Sequence, residues 1–243
     1  MKPFQIKIAD TVFEVHCGFD ATKELFRDYL CDADRADRTV SVSCMDIVRE
    51  HFRTSTMFEL TEERAKMLDP SLLHRRICDL LVERQTLMLH GCVVATNDAG
   101  VVFVAPSGVG KTTHAQLWLS HLPESYILNG DKPMIRVADD ITVFGTPWCG
   151  KEGFNRNTSV KLKAICVLKR SQQNQLRSLT VNEAVTSILG QVYFPKSPEL
   201  QMQVFSSFDR MVHAVRLYQL DMDNFAEDAF TVSSQILDDI SRS

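Results

Sequence analysis

The chain has 243 residues, 44% hydrophobic and 24% charged, with a net charge of −4. That length can bury a substantial core without staples, and that charge gives no global pull toward nucleic acid. No apolar run reaches the roughly 18 residues of a membrane span, so neither nucleic acid nor membrane is expected as a partner.

The seven cysteines (Cys17, Cys31, Cys44, Cys78, Cys92, Cys149 and Cys166) are odd in number and form no CxxC pair. Without a secretory pattern at the start, they read as reduced thiols of a cytoplasmic protein, and their spacing offers no zinc site.

In chain order, residues 4–8 and 12–16 alternate apolar and polar around Ala9-Asp10, which predicts a hairpin. Phe19 to Leu30 suits a helix, residues 32–38 a charged loop, and Thr39 to Cys44 a strand. The stretch 45–67 is ambiguous. Asp69-Pro70 reads as an N-cap with proline at the first helical position, opening a helix over about 70–84. Leu87 to Ala95 predicts one strand with His90-Gly91 in its middle, and Asn97 to Gly100 a turn into the next strand. The two strands on either side of that turn are then antiparallel neighbours.

Val101 to Val104 predicts a buried strand and Thr113 to Ser120 a helix. Between them stands Ala105-Pro106-Ser107-Gly108-Val109-Gly110-Lys111-Thr112, which departs from GxxxxGK[ST] only at its first position. Strand, glycine loop and helix in this order form the setting of a phosphate-binding loop. Gly108 and Gly110 let the backbone curl its N–H groups around an anion. The helix start adds its positive dipole end. Ser107 to Thr113 are therefore the candidate nucleotide-binding residues: Ser107, Gly108, Val109, Gly110, Lys111, Thr112 and Thr113. Lys111 can reach the β/γ-phosphates of ATP, and the Thr112 hydroxyl can ligate Mg²⁺.

Beyond the loop, Tyr126 to Leu128 predicts a short strand ending at Asn129-Gly130-Asp131-Lys132-Pro133. An acidic residue at such a strand end is where triphosphate-using enzymes hold Mg²⁺ or a base. Met134 to Val137 and Ile141 to Phe144 flank a turn, where the pair Asp139-Asp140 reads as turn chemistry rather than a metal site. Residues 145–157 form a long loop in which Lys151, Glu152, Asn155 and Arg156 could touch a ligand. Lys161 to Leu168 predicts a central strand. Thr180 and Glu183 form a capping box opening a helix to about Gln191. Leu200 to Met211 then reads as helix, His213 to Leu220 as strand, and Asp223 to Ile240 as a last helix.

These elements predict a mixed-sheet α/β architecture with helices outside. His90-Gly91, the glycine loop ending at Lys111-Thr112, and Asp131 together make the region of about 85–170 resemble the HPr kinase/phosphorylase family. Its shorter HPr-kinase-like relatives are closer still. The resemblance implies a P-loop serine kinase core with a phosphoenolpyruvate carboxykinase-like fold over residues 85–243. Residues 1–84 would form a separate small α+β lobe.

By that resemblance Lys111 holds the transferred phosphate of ATP, and Thr112 and Asp131 serve Mg²⁺. Asp131 takes the proton of the acceptor hydroxyl, and His90 faces the reacting phosphate. It further implies a small protein or peptide as acceptor, and assembly into a homo-oligomer. Two departures stand out. Gly130 occupies the place of the family's first aspartate, and Pro147-Trp148-Cys149-Gly150 that of its Glu-x-Arg-Gly motif, whose glutamate has no counterpart there; Glu152 lies two residues on. Two further function classes suit the same motif: a nucleotide-binding regulatory module without phosphotransfer, and a kinase of a small molecule such as free serine or a carboxylic acid.

Overall fold

A computed structural model describes residues 2–96, 99–223 and 228–242. The chain divides into two compact units, Met1–Glu83 and Arg84–Ser243.

In the first unit, β1 (Phe4–Ile8) and β2 (Thr11–His16) form the expected antiparallel hairpin. Ala9 and Asp10 both take positive φ, 46° and 52°, the pair of left-handed residues that matches strand twist in a tight hairpin. Alternation buries Ile6, Ile8, Phe13 and Val15. The helix expected from Phe19 to Leu30 is shorter. α1 (Asp20–Leu25) gives way to a 3₁₀ turn at Arg27–Tyr29 and the short strand β3 (Leu30–Cys31). Phe26 and Tyr29, three apart, are both buried, which the 3₁₀ period satisfies. β4 (Arg38–Ser41) lies parallel to β2 and completes a sheet of order β3-β1-β2-β4.

The ambiguous stretch contains α2 (Cys44–Thr54), opened by a Ser43–Asp46 capping box, and the start of α3 (Glu62–Val82). The helix start expected at Asp69-Pro70 is therefore wrong: Thr61 is the N-cap, and α3 runs through Pro70. Asp69 does different work. Fully buried, its carboxylate accepts from Thr22 Oγ1 at 2.6 Å and from the Gly18 N–H at 3.4 Å, tying α3 to the 18–22 segment.

The second unit is built on a nine-stranded mixed sheet. Its strands are β5 (Thr86–Met88), β6 (Cys92–Thr96), β7 (Ala99–Val104), β8 (Tyr126–Asn129), β9 (Met134–Val137), β10 (Ile141–Phe144), β11 (Ser159–Arg170), β12 (Gln175–Ser178) and β13 (Arg216–Met222). The helices are α4 (Lys111–His121), α5 (Val181–Leu189), α6 (Pro198–Ala214) and α7 (Ala229–Ser241). The order β5-β9-β10-β11-β7-β6-β8 is extended by β13, which pairs with both β11 and β12. β11 is the long central strand, parallel to β7 on one side and to β13 on the other. β6 and β7 are antiparallel neighbours as expected; the Asn97-Asp98 part of the anticipated turn lies outside the described residues.

The strand expected over Leu87 to Ala95 is two strands. β5 pairs with β9, and β6 with β7 and β8. Residues between them make other bonds: the Leu89 N–H donates to Pro133 O, His90 N–H to Gln191 O and Gly91 N–H to Asp131 O. Gly91 is needed there, because a Cβ would stand 2.8 Å from Val102 Cγ1 and 3.0 Å from Phe103 O. His90 thus sits at a crossing between strands rather than mid-strand.

The core forms where α4 and α7 pack on the sheet. Phe103 meets the Trp118 ring edge-on at 5.3 Å, and Trp118 Nε1–H donates to Ser233 Oγ at 2.8 Å. Residues of opposite parity on the same strands, Ile165 and Leu217, are buried as well, and α5 and α6 pack on β13. The Thr180–Glu183 capping box forms, with Glu183 accepting from the Thr180 N–H at 2.8 Å. No helix among the described residues is long and apolar enough to cross a membrane. All seven cysteines are free thiols.

Candidate active site

Four buried residues, Val101 to Val104, end β7 and deliver the chain to a loop that then opens α4. Gly108 and Gly110 take φ of +81° and +115°. Gly108 meets nothing within 4 Å where a Cβ would be, so its backbone conformation, not crowding, requires glycine. Gly110 is the N-cap of α4, which leaves the first helical N–H groups facing the loop. Ser107 and Thr113 are exposed and Thr112 half-buried.

Lys111 is 8% exposed, and its Nζ donates to Ala105 O at 2.9 Å. Burial lowers its pKa while the nearby charge of Asp131 pulls it back up. The ammonium is thus held in the loop's own curl, largely shielded from solvent and within the field of Asp131.

Asp131 is positioned by a brace that the sequence reading missed. Asn129 is fully buried at the end of β8, and its Oδ1 accepts the N–H groups of Asp131 (3.0 Å) and Lys132 (2.7 Å). Its Nδ2 donates to Thr146 O at 2.8 Å, and Thr146 Oγ1 donates to Lys132 O at 2.8 Å. The Asn-Gly pair was the available signal, since asparagine bonds the backbone two residues on in such turns. Thr146 had none.

His90 and Asp131, 41 positions apart, meet: His90 Nε2 lies 3.0 Å from Asp131 Oδ1. An ionised carboxylate only accepts, so Nε2 carries the proton. Lys132 Nζ bonds the other oxygen of Asp131. Burial pushes the Asp131 carboxyl up, but the bonds from His90 and Lys132 outweigh it and hold it at about 2. Cys92 reports the same cluster. Its thiol is driven up to about 12, chiefly by burial, and it feels the charges of Lys111, Glu152 and Asp131.

The loop 145–157 folds back over this turn. Phe154 O accepts from the Gly130 N–H at 2.9 Å, and Asn129 and Asn155 form a bridge. Gly150, at φ +83°, approaches Asp131: a Cβ there would be 3.4 Å from Asp131 Cβ and 3.5 Å from Glu152 Oε2. Glu152 and Asp131 thus both border Gly150. Asn155 instead donates to Cys149 Sγ, and Arg156 stacks over the Tyr126 ring at 4.1 Å. Asp139-Asp140 is an exposed turn, with Asp140 paired to Lys161 at 3.0 Å.

Gly130 has a structural reason. A Cβ there would stand 2.6 Å from Cys149 O, so no side chain fits without moving the backbone. Gly130→Asp is expected to destabilise the chain by about 1–3 kcal/mol, seen as a melting temperature lower by several degrees. An unchanged melt would show that the 145–157 loop yields freely.

Thr112 offers a hydroxyl and Asp131 a carboxylate, donor types that Mg²⁺ takes beside water and phosphate oxygens; both oxygens of Asp131 are engaged here, by His90 and Lys132. Among the described residues no group of three or more His, Cys, Asp or Glu forms a self-sufficient metal cage.

A family model described as SynChlorMet cassette protein ScmC matches residues 59–228. No curated protein matches the chain.

Proposed function

The chain belongs to the SynChlorMet cassette protein ScmC family, and we propose that it is an ATP-dependent phosphotransferase, a serine kinase of the HPr-kinase-like kind acting on a small protein or peptide. The observation that carries the reading is the convergence of Lys111, Asp131 and His90. A buried ammonium at a glycine loop and an ionised, histidine-bonded carboxylate lie close enough to feel each other's charge. The resemblance to that family and to its P-loop core is part of the same proposal.

In this reading the loop N–H groups and the α4 start hold the phosphates, and Lys111 leaves Ala105 O to follow the transferred group. Asp131 orients the acceptor hydroxyl and takes its proton as the oxygen attacks the γ-phosphorus and ADP departs. Thr112 and Asp131 are the residues that would hold Mg²⁺, which would neutralise phosphate charge when bound. Because transition states of this class are loose, orienting the hydroxyl matters more than basicity, which suits a carboxylate held near 2. His90 fixes that carboxylate's rotation.

One observation favours the second reading, a nucleotide-binding module without transfer: the place of a second carboxylate, at Gly130, is closed by Cys149 O. The deciding experiment is transfer from γ-³²P-ATP to the products of neighbouring genes, the cassette of the family's description being the source of candidate acceptors. Label on a serine of a small protein or peptide supports the kinase. ATP retained with no label on any acceptor overturns it in favour of the binding module.

A further inference from the structure

The sheet of the first unit, in the order β3-β1-β2-β4, ends at β4. β4 runs parallel to β2, with Val15 opposite Val40 and His16 opposite Ser41. The Val42 N–H donates to His16 O at 2.8 Å, which fixes the parity of the ladder. Val40 and Val42 turn their peptide groups to β2, and Thr39 and Ser41 turn theirs to the open side. Ser41 O agrees with this, since it accepts from the Arg76 guanidinium on α3. An open edge is a template for another chain, and proteins blunt such edges by shortening them or with proline, lysine or bulges. The opposite edge, β3, has only two residues. β4 has four, Arg38-Thr39-Val40-Ser41, with neither proline nor lysine and no register shift against β2.

α3 stands beside this edge without covering it. A groove of about 370 Å³ lies between them, lined by Thr39, Val40 and Ser41 on the strand and by Arg76, Asp79 and Leu80 on the helix. Helix and strand run in opposite directions: Arg76 reaches Ser41, and Glu83 pairs with Arg38 at 3.5 Å. Arg76 also pairs with Asp46 at 2.8 Å. The arginines at both ends of the groove are thus engaged by carboxylates of the same unit, which leaves little net charge to draw a phosphate or a nucleic acid. What the groove offers is a row of backbone donors and acceptors at exposed Thr39 and Ser41, with half-buried Leu80 across from them. Only an extended peptide complements that row. Main-chain bonds supply its affinity, and the side chain lying toward Leu80 its selectivity.

We propose that β4 and α3 form a docking groove for an extended, uncharged segment of the acceptor peptide, which pairs with β4 as an added strand. That the occupant is the acceptor rests on the peptide-kinase reading above. Residues 1–83, to which that reading gives no part, then select the peptide whose serine is phosphorylated.

The test titrates the full chain into short, overlapping, fluorescein-labelled peptides that tile the small-protein products of neighbouring genes, followed by anisotropy. A peptide that binds wild type is expected to bind Thr39→Pro about tenfold more weakly. That substitution removes an outward N–H and sets a ring on the edge while sparing the bonds to β2. N-methylation of the peptide should weaken wild-type binding at every second residue and leave the residues between unaffected, a pattern that needs no variant to fold and that mere packing would not produce. The groove is overturned if no peptide binds, if Thr39→Pro folds and binds as wild type does, or if the methylation pattern lacks the alternation. A wild-type dimer that Thr39→Pro abolishes overturns it too, since a second copy then holds the edge. A peptide bound with the alternating pattern but never labelled from γ-³²P-ATP upholds the groove and overturns the kinase reading. A labelled acceptor none of whose peptides binds does the reverse.

Discussion

Asp131→Asn is expected to lower phosphoryl transfer by roughly 10²–10⁴-fold while ATP still binds. The substitution keeps size and one accepting oxygen but removes the charge that takes the hydroxyl proton. It also places an NH₂ or a neutral oxygen opposite His90 Nε2, which now donates to Asp131 Oδ1 at 3.0 Å. Binding should survive because the loop, Lys111 and the α4 start remain. The measurement is single-turnover transfer beside an independent ATP titration. Full activity would remove Asp131 from the chemistry. Lost binding with lost activity would make it an organiser of the loop instead.

A companion measurement separates His90 from a merely structural role. The Asp131 carboxyl sits at about 2 because bonds from His90 and Lys132 outweigh burial. Its proton-free form is therefore present throughout the neutral range, and an acid limb due to it lies far below neutrality. His90→Ala withdraws the first of those bonds, so the carboxyl rises and the acid limb of transfer moves to higher pH. A lower rate with an unmoved profile would mean that His90 only packs. The group's depressed value also fixes the sign for stability: its contribution is present above the ordinary carboxylate range and is lost as pH falls toward 2.

The parts of this site that follow from local pattern were legible in the sequence. Four β-rich apolar residues, two glycines and a switch to helical period announce β7, the loop and α4, because each signal acts within a few residues of itself. The Thr180–Glu183 capping box was legible for the same reason, and the mixed α/β class followed from the succession of such segments. What escaped depends on distant partners. LMLHGCVVA offers Gly91 as its one internal break signal, and bonds to the Pro133, Gln191 and Asp131 carbonyls split it into β5 and β6. Asp69-Pro70 has the form of a helix start, but a buried bond to Thr22, 47 residues away, places the pair inside α3. The Asn129–Thr146 brace and the bond from Arg170 to Val109 O in the glycine loop are contacts across 17 and 61 positions. Apart from the Asn129-Gly130 turn signal, nothing at either end alone distinguishes them from surface polar residues. Gly130 is the converse case. Its departure from the family pattern was visible, but its cause, the Cys149 carbonyl 2.6 Å from the missing Cβ, is a fact of packing.

Lys111→Ala is expected to raise the Kd for ATP by roughly 10–100-fold, the value of one charge-assisted bond, and to lower transfer by a further factor on the order of 10²–10³. The two numbers differ because the ammonium meets the ground-state phosphate once but faces charge that grows as the γ-phosphoryl group leaves. Its present partner, Ala105 O at 2.9 Å, is neutral, so moving to a phosphate exchanges a dipole for an anion. Burial already lowers its pKa against the pull of Asp131, and an arriving triphosphate reverses that burden. Folding should respond in the opposite sense. Removing a buried charge leaves Ala105 O unpartnered but relieves desolvation, so the unliganded variant should melt within a few degrees of wild type. Saturating ATP with Mg²⁺ should raise the wild-type melting temperature clearly and the variant's hardly at all. Equal ATP-induced shifts in both proteins would show that the loop does not use Lys111 to hold phosphate, and the proposed chemistry would then lose its anchor.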